Sequence, residues 1–319
     1  LAAINVDNNN GKLYAHGVWN PNSIVVNAID VDGTTVENVR IKRVGSVDTT
    51  TPGDYELTYS FKDSLGHEQS TRATVTVLEN HAAIEVDNNS GKLYAHGVWN
   101  PDRIVVNAVD VDGTTVEDAR IERSGTVDMT TPGDYKLTYS FTDSLGHEQS
   151  TSTTITVLEN HVAINVDNNG GKLYAHGVWN PESIVITAVD VDGTTVENAR
   201  IKRSGSVDIT TPGDYKLTYS FTDSLGHEQS TGTTVTVLEN MAGIKVKSTT
   251  ESFRIGAKWS EKDNFDSATD VDGTPINLSN IDIESTVNSE VAGQYKVTYS
   301  FTDQQGKLRS AEVPVEVLA

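Results

Sequence analysis

The sequence contains no cysteine. That single absence removes disulfide frameworks, thiolate zinc sites and thiol nucleophiles together, and leaves packing to stabilise the fold. Basic residues are scarce: 24 Lys and Arg stand against 45 Asp and Glu, for a formal net charge of -21. A surface of that sign cannot neutralise phosphates, so nucleic acid is excluded as a partner, and adsorption to anionic lipid is disfavoured on the same ground. No apolar run approaches the roughly 18–20 residues needed to cross a bilayer, so no membrane insertion is expected. Sustained apolar spacing of the i, i+3, i+4, i+7 kind is also missing, which predicts almost no helix. Neither a basic-then-apolar leader at Leu1 nor a sorting signal before Ala319 is present, and the chain reads as an interior segment.

What the sequence has is repetition. Gly-Lys-Leu-Tyr-Ala-His-Gly-Val-Trp-Asn-Pro starts at Gly11, Gly91 and Gly171, and Val-Leu-Glu-Asn recurs from Val77, Val157 and Val237. The period is 80 residues, and the second and third copies differ at only about 13 of 80 positions, as expected after recent tandem duplication. Length alone, at roughly 100–200 residues per domain, suggests two or three domains. The repeat raises that to four: 1–80, 81–160, 161–240 and a diverged 241–319. In the last copy Trp259 matches Trp19, Asp270 to Gly273 match Asp30 to Gly33, and Tyr295 matches Tyr55.

Within a copy the hydrophobic pattern has period two, the signature of strands with one buried face. Tyr55, Leu57, Tyr59 and Phe61 alternate with Asp54, Glu56, Thr58 and Ser60, and Ala73, Val75 and Val77 alternate with Thr74 and Thr76. The polar, glycine-containing stretch from Asp63 to Glu68 joins these two strands as a hairpin. Ile4 and Val6 precede a turn signal at Asn10-Gly11. Leu13 to Ala15 and Ile24 to Ala28 read as further strands, and Val39 with Ile41 suggests another before the turn at Thr51-Pro52-Gly53. About seven short strands and no helix predict an antiparallel, all-β immunoglobulin-like sandwich. Gly53-Asp54-Tyr55-Glu56-Leu57 has the layout of a tyrosine corner, in which the phenol hydroxyl bonds back to the preceding turn and Leu57 takes the core position of the usual cysteine.

Ala28-Ile29-Asp30-Val31-Asp32-Gly33, then Gly45 through Tyr55, then Leu57 to Phe61 and Asp63-Ser64-Leu65-Gly66, resemble the group 3 bacterial immunoglobulin-like domain. The resemblance covers most of each copy and implies four such sandwiches in a tandem rod. It also implies an extracellular location on a bacterial cell surface, anchored to the wall of a Gram-positive cell through a segment outside this sequence; a cysteine-free secreted protein is ordinary there. It brings no catalytic residues with it.

The chemistry of individual residues agrees that the chain is not an enzyme. Asp63, Ser64 and His67 lie in one short turn, whereas a triad needs a base oriented by a third group and an oxyanion hole. Calcium is the stronger candidate cofactor. Asp30 and Asp32 fall on the same side of an extended segment before Gly33, and the pair recurs as Asp110 and Asp112, Asp190 and Asp192, and Asp270 and Asp272. No glutamate follows at EF-hand spacing, so six to eight oxygens would have to include other loops, such as Asp7 to Asn9 or Glu79 and Asn80. The alternative is that these aspartates are solvated turn residues.

Ligand recognition has its own candidates. Tyr14 and His16, with Tyr94 and His96 and with Tyr174 and His176, are replaced in the fourth copy by Arg254 and Gly256, while the tryptophan is kept as Trp259. Tryptophan is therefore assigned to packing, and the Tyr/His pairs to recognition of a host glycan or extracellular protein or to plain strand surface. Between Val77 and Ile84 there is no Gly/Ser-rich or Pro-rich spacer, so consecutive copies are joined nearly strand to strand. Sandwiches of roughly 35–40 Å in line would give a monomeric rod on the order of 150 Å. Two functions stay open: a stalk that projects a binding domain, or adhesive repeats whose multiplicity supplies avidity.

Overall fold

The computed structural model describes residues 1–9 and 11–319, so the turn expected at Asn10-Gly11 lies in part outside the described residues. The first copy contains β1 (Ala3–Asn8), β2 (Lys12–Tyr14), β3 (Ile24–Ile29), β4 (Lys42–Val44), β5 (Gly53–Lys62) and β6 (Glu68–Leu78). β1 pairs antiparallel with β3 in a two-stranded sheet. The second sheet has four strands in the order β2-β6-β5-β4, with β2 parallel to β6 and the other pairs antiparallel. Each later copy repeats this pair of sheets. Among the described residues the only helical segments are three-residue 3₁₀ turns, and no helix is long and apolar enough to cross a membrane.

The period-two pattern explains the core. Leu57, Tyr59 and Phe61 of β5 and Ala73, Val75 and Val77 of β6 are all buried, and they face Ile4 of β1 and Ile24 and Ala28 of β3. Each such aliphatic side chain removed from water contributes about 1.5–3 kcal/mol. The chain is all-β throughout, in tandem immunoglobulin-like sandwiches.

Two expectations need correction. Val39 and Ile41 do not lie in a strand: Asn38–Arg40 is a single 3₁₀ turn, closed by Arg40 N–H to Glu37 O and Ile41 N–H to Asn38 O. Val39 is 86% exposed, so its alternation with Ile41 was not that of a buried face. Six strands form rather than seven, because residues 30–41 are consumed by two tight turns and Thr35 makes only an isolated bridge to Ile29.

The chain divides into two compact units, Leu1–Glu159 and Asn160–Ala319. Within the first, Leu78 ends β6 and Ala83 opens the next strand, so four residues link the first two copies.

Candidate functional site

In the first copy β3 ends at Ile29 and β5 ends at Lys62, which brings the Asp30 and Asp63 loops to one pole of the sandwich, and the equivalent strands of the later copies end at the matching positions. Asp30 to Gly33 is a tight turn, closed by Gly33 N–H to Asp30 O at 3.0 Å, and not an extended segment. The turn sends its two carboxylates apart: Asp30 is buried and Asp32 exposed. Asp30 Oδ1 accepts from Val31 N–H and from the N–H and hydroxyl of Ser64, 34 residues later. Its Oδ2 lies 3.5 Å from the Arg40 guanidinium. The Ser64 and Val31 N–H groups hold its carboxyl down at about 2, against the opposing effect of burial. In Asp110 burial pushes upward most strongly, yet the Ser144 and Val111 N–H groups outweigh it and the group again rests at about 2. Asp32 is lowered by the hydroxyl and N–H of Thr34, an Asx turn.

Asp63 is a loop-organising carboxylate whose burial sequence reasoning missed. It is buried, accepting from Leu65 N–H and His67 N–H at Oδ1 and from the Gln69 amide at Oδ2. Burial raises its pKa, and these donors more than cancel the rise. The signal was an Asp-x-x-Gly turn at Asp63, Asp143, Asp223 and Asp303, the same spacing as at Asp30. His67 Nδ1 is 3.6 Å from Asp63, but both belong to the loop that Asp63 organises.

The structure does not bring Asp7 to Asp30. Asp7 pairs with Val25 and Ala3 with Ile29, so Asp7 sits at the far end of the β1–β3 ladder, about 17 Å from Asp30 at 3.3 Å per residue. Among the described residues no group of three or more His, Asp or Glu side chains is arranged to hold a metal ion.

Tyr14, His16 and Trp19 belong to the opposite pole. Tyr14 closes β2 beside Leu78 and is half-buried. His16 is exposed and left-handed, with φ of 70°; His96 and His176 have φ of 68° and 61°, and the fourth copy places Gly256 there at 76°. His16 N–H donates to Thr49 O at 2.7 Å, tying the loop to the turn before the tyrosine corner. The corner forms as the sequence predicts: Tyr55 donates to Thr51 O at 2.8 Å, and Tyr135, Tyr215 and Tyr295 repeat the bond. Trp19 packs on the core with Arg43 over its ring at 5.7 Å, and Trp259 stacks on Phe253, so tryptophan packs in both kinds of copy.

The Tyr14/His16 loop also meets the next copy within each compact unit. A Cβ on Gly17 would lie 3.4 Å from Leu145. In the second unit the Gln305 amide donates to Tyr174 O at 3.3 Å, and Lys307 Nζ donates to His176 O. Asn80 joins the first two copies directly, donating to Ala15 O at 3.0 Å while accepting from Ala82 N–H at 2.9 Å. Asn240 makes the equivalent pair of bonds with Ala175 and Ala242.

Comparison with known proteins places this architecture. A family model described as bacterial surface protein, Ig-like domain, matches residues 22–77, 102–157 and 182–237. The bacterial Ig-like domain (group 3) model matches residues 246–317. The chain is 24% identical over 322 residues to the pesticidal crystal protein Cry22Aa of Bacillus thuringiensis, across 95% of this chain and 42% of that protein. It is 27% identical over 314 residues to hyalin of Lytechinus variegatus, across 91% and 57% respectively. The chain thus spans about half the length of the curated relatives it matches. Among solved structures, a Ca2+-stabilised adhesin with which an Antarctic bacterium binds ice aligns over 99% of both chains at 10% identity and a TM-score of 0.38. A tetra-tandem repeat from the extending region of a large adhesion protein aligns over 100% of this chain and 92% of that one, at 15% identity and a TM-score of 0.26. With the three matched segments making up more than half its length, the chain belongs to the bacterial surface protein Ig-like domain family, its fourth copy matching the group 3 bacterial Ig-like domain.

Proposed function

We propose that this chain is a non-catalytic spacer region of a bacterial surface protein, holding a binding part of its parent away from the cell wall. Each copy, at 1–80, 81–160, 161–240 and 241–319, is taken as one bead. The observation that carries the reading is that every copy repeats the same pair of sheets, while Asn80 and Asn240 stitch neighbouring copies together through main-chain groups. The polar residues that could suggest chemistry are engaged in holding loops: Asp63 organises its own turn, and Asp30 ties that turn to the β3 loop.

Calcium is not required by this reading. The Arg40, Arg120 and Arg200 guanidinium groups stand beside Asp30, Asp110 and Asp190, at 3.5, 3.3 and 3.3 Å, where a cation would have to displace them. Millimolar calcium is accordingly expected to leave Tm unchanged; a rise would return Asp32 and its copies as ligands.

Displaying the parent protein on cells with one, two or three of the near-identical copies tests the spacer role. Access of an antibody to the part beyond the repeats should increase with copy number. Equal access at every copy number would contradict it.

A further inference from the structure

A groove recurs at one place in each copy, between the free edge of β3 or its equivalent and the segment leading into β4 or its equivalent. In the first copy it measures about 410 Å³ and is lined by Ile24, Val26, Ile41, Tyr59 and Arg43. The second and third copies carry versions of about 390 and 290 Å³.

Three observations mark this groove as unfinished. β3 and β4 are the terminal strands of their sheets, so the sandwich is open on this side. The outer edge of β3 is nevertheless in use at one point, where Val36 N–H donates to Ala28 O at 2.8 Å. Ala28 therefore turns its main chain away from Ile4, its partner on β1, and two residues earlier Val26, opposite Val6, does the same. The N–H and C=O of Val26 face the groove with no strand beyond them. Val106 and Ile186 share that register, because Val116 and Val196 bond to Ala108 and Ala188 in the same way.

Second, the hydroxyl of Tyr219 lines the groove of the third copy, is enclosed, and has no hydrogen-bond partner, although buried polar groups are almost always paired; Tyr59 in the first copy has the Arg43 guanidinium beside it. Third, the fourth copy keeps a groove at this place, of about 510 Å³, but changes its polar groups: Tyr299 donates to Glu261 O at 2.5 Å, and Ile283 replaces the arginine.

We propose that the groove of the first three copies is a strand-addition site for an extended, acidic peptide segment of another protein. The segment would pair its backbone with Val26, Val106 or Ile186, set an apolar side chain between the two sheets, and turn a carboxylate to Arg43, Arg123 or Arg203. Peptide fits better than sugar, because the groove runs along an unpaired strand edge and the nearby Trp19 ring is covered by Arg43. Charge orders the copies. The groove carries Asn22 and Asn38 in the first, Glu182 and Asn198 in the third, and Asp102 and Asp118 in the second, so affinity for an acidic peptide falls in that order. This inference goes beyond the spacer role and does not depend on it.

The test uses the full chain and a fluorescein-labelled, end-capped peptide of four Val-Glu repeats, read by fluorescence anisotropy. The same peptide with alternate amides N-methylated, and a Val-Lys peptide, are the comparators. Saturable binding is expected, weakened at least about tenfold by N-methylation, by the charge swap, and by the combined variant Arg43→Glu, Arg123→Glu, Arg203→Glu, with circular dichroism confirming its fold. Arg43→Glu alone should remove the tightest site. Absence of binding at millimolar peptide, or equal binding of the N-methylated peptide, would overturn the proposal even if the arginine variant failed to fold. So would a glycan whose binding is lost in that variant while the peptide does not bind.

Discussion

Each copy buries two carboxylates at one pole and supplies one guanidinium to them, but the position of that guanidinium changes. In the first three copies Arg40, Arg120 and Arg200 serve Asp30 and its equivalents; in the fourth, Asn280 stands at that position and Arg309, replacing a glutamine, pairs with Asp303 at 2.7 Å. One cation for two buried acids is thus kept while its partner switches. The linkage sign follows from the depressed carboxyls. Asp30 and Asp110 rest at about 2 in the fold against an ordinary 3.8, so their stabilisation is present above pH 4 and is lost as pH falls towards 2. Asp30→Asn combined with Asp110→Asn should lower Tm at pH 7 and flatten the acid limb of a Tm-versus-pH curve; an unchanged acid limb would refute the assignment. His16 gives the opposite kind of test. A left-handed histidine carries a backbone cost that glycine does not, and the fourth copy already uses Gly256. His16→Gly should therefore be neutral or stabilising by up to about 1 kcal/mol in chemical denaturation, and His16→Val destabilising by about 1–2 kcal/mol.

At the scale of elements, β5 and β6 were legible because one face of each is buried and the alternation is unbroken. The tyrosine corner was legible because its parts lie within five residues. Tyr55→Phe should cost about 0.5–1.5 kcal/mol, the usual worth of one such bond, in a urea titration. Reading failed where structure depends on distant convergence. Burial of Asp63 cannot be seen locally, because the contact that fixes its loop, Ser64 to Asp30, spans 34 residues. The 3₁₀ turn at Asn38–Arg40 was hidden by an apolar Val39 that faces solvent, and its purpose is visible only when Arg40 is seen reaching Asp30 and the Lys62 carbonyl. The Tyr14/His16 loop was open in sequence between recognition and plain strand surface; that its backbone meets the following copy within each unit could not be seen locally. Asn80→Ala would remove a bond on either side of the first link, and hydrogen exchange at Ala82 N–H should accelerate while the β5 and β6 amides remain protected. Unchanged exchange at Ala82 would show that Asn80 does not hold the link.

For the whole molecule, the account rests on each copy being a self-sufficient bead. The sequence repeats every 80 residues, and every copy has its own buried leucine or valine at the centre of β5 or its equivalent: Leu57, Leu137, Leu217 and Val297. Leu57→Ala should cost about 2–5 kcal/mol. If the beads are independent, that loss stays in the first copy and leaves the melting of the others unchanged. Contacts nevertheless group the chain into only two compact units, Leu1–Glu159 and Asn160–Ala319, so independence has a definite competitor. Single-molecule pulling on the full chain distinguishes the two. Eighty residues extend to at most about 3.6 Å each, so four unfolding events, each releasing roughly 25 nm of contour, are predicted, three of them at matching force. Two events of about twice that length, one per compact unit, would contradict the account.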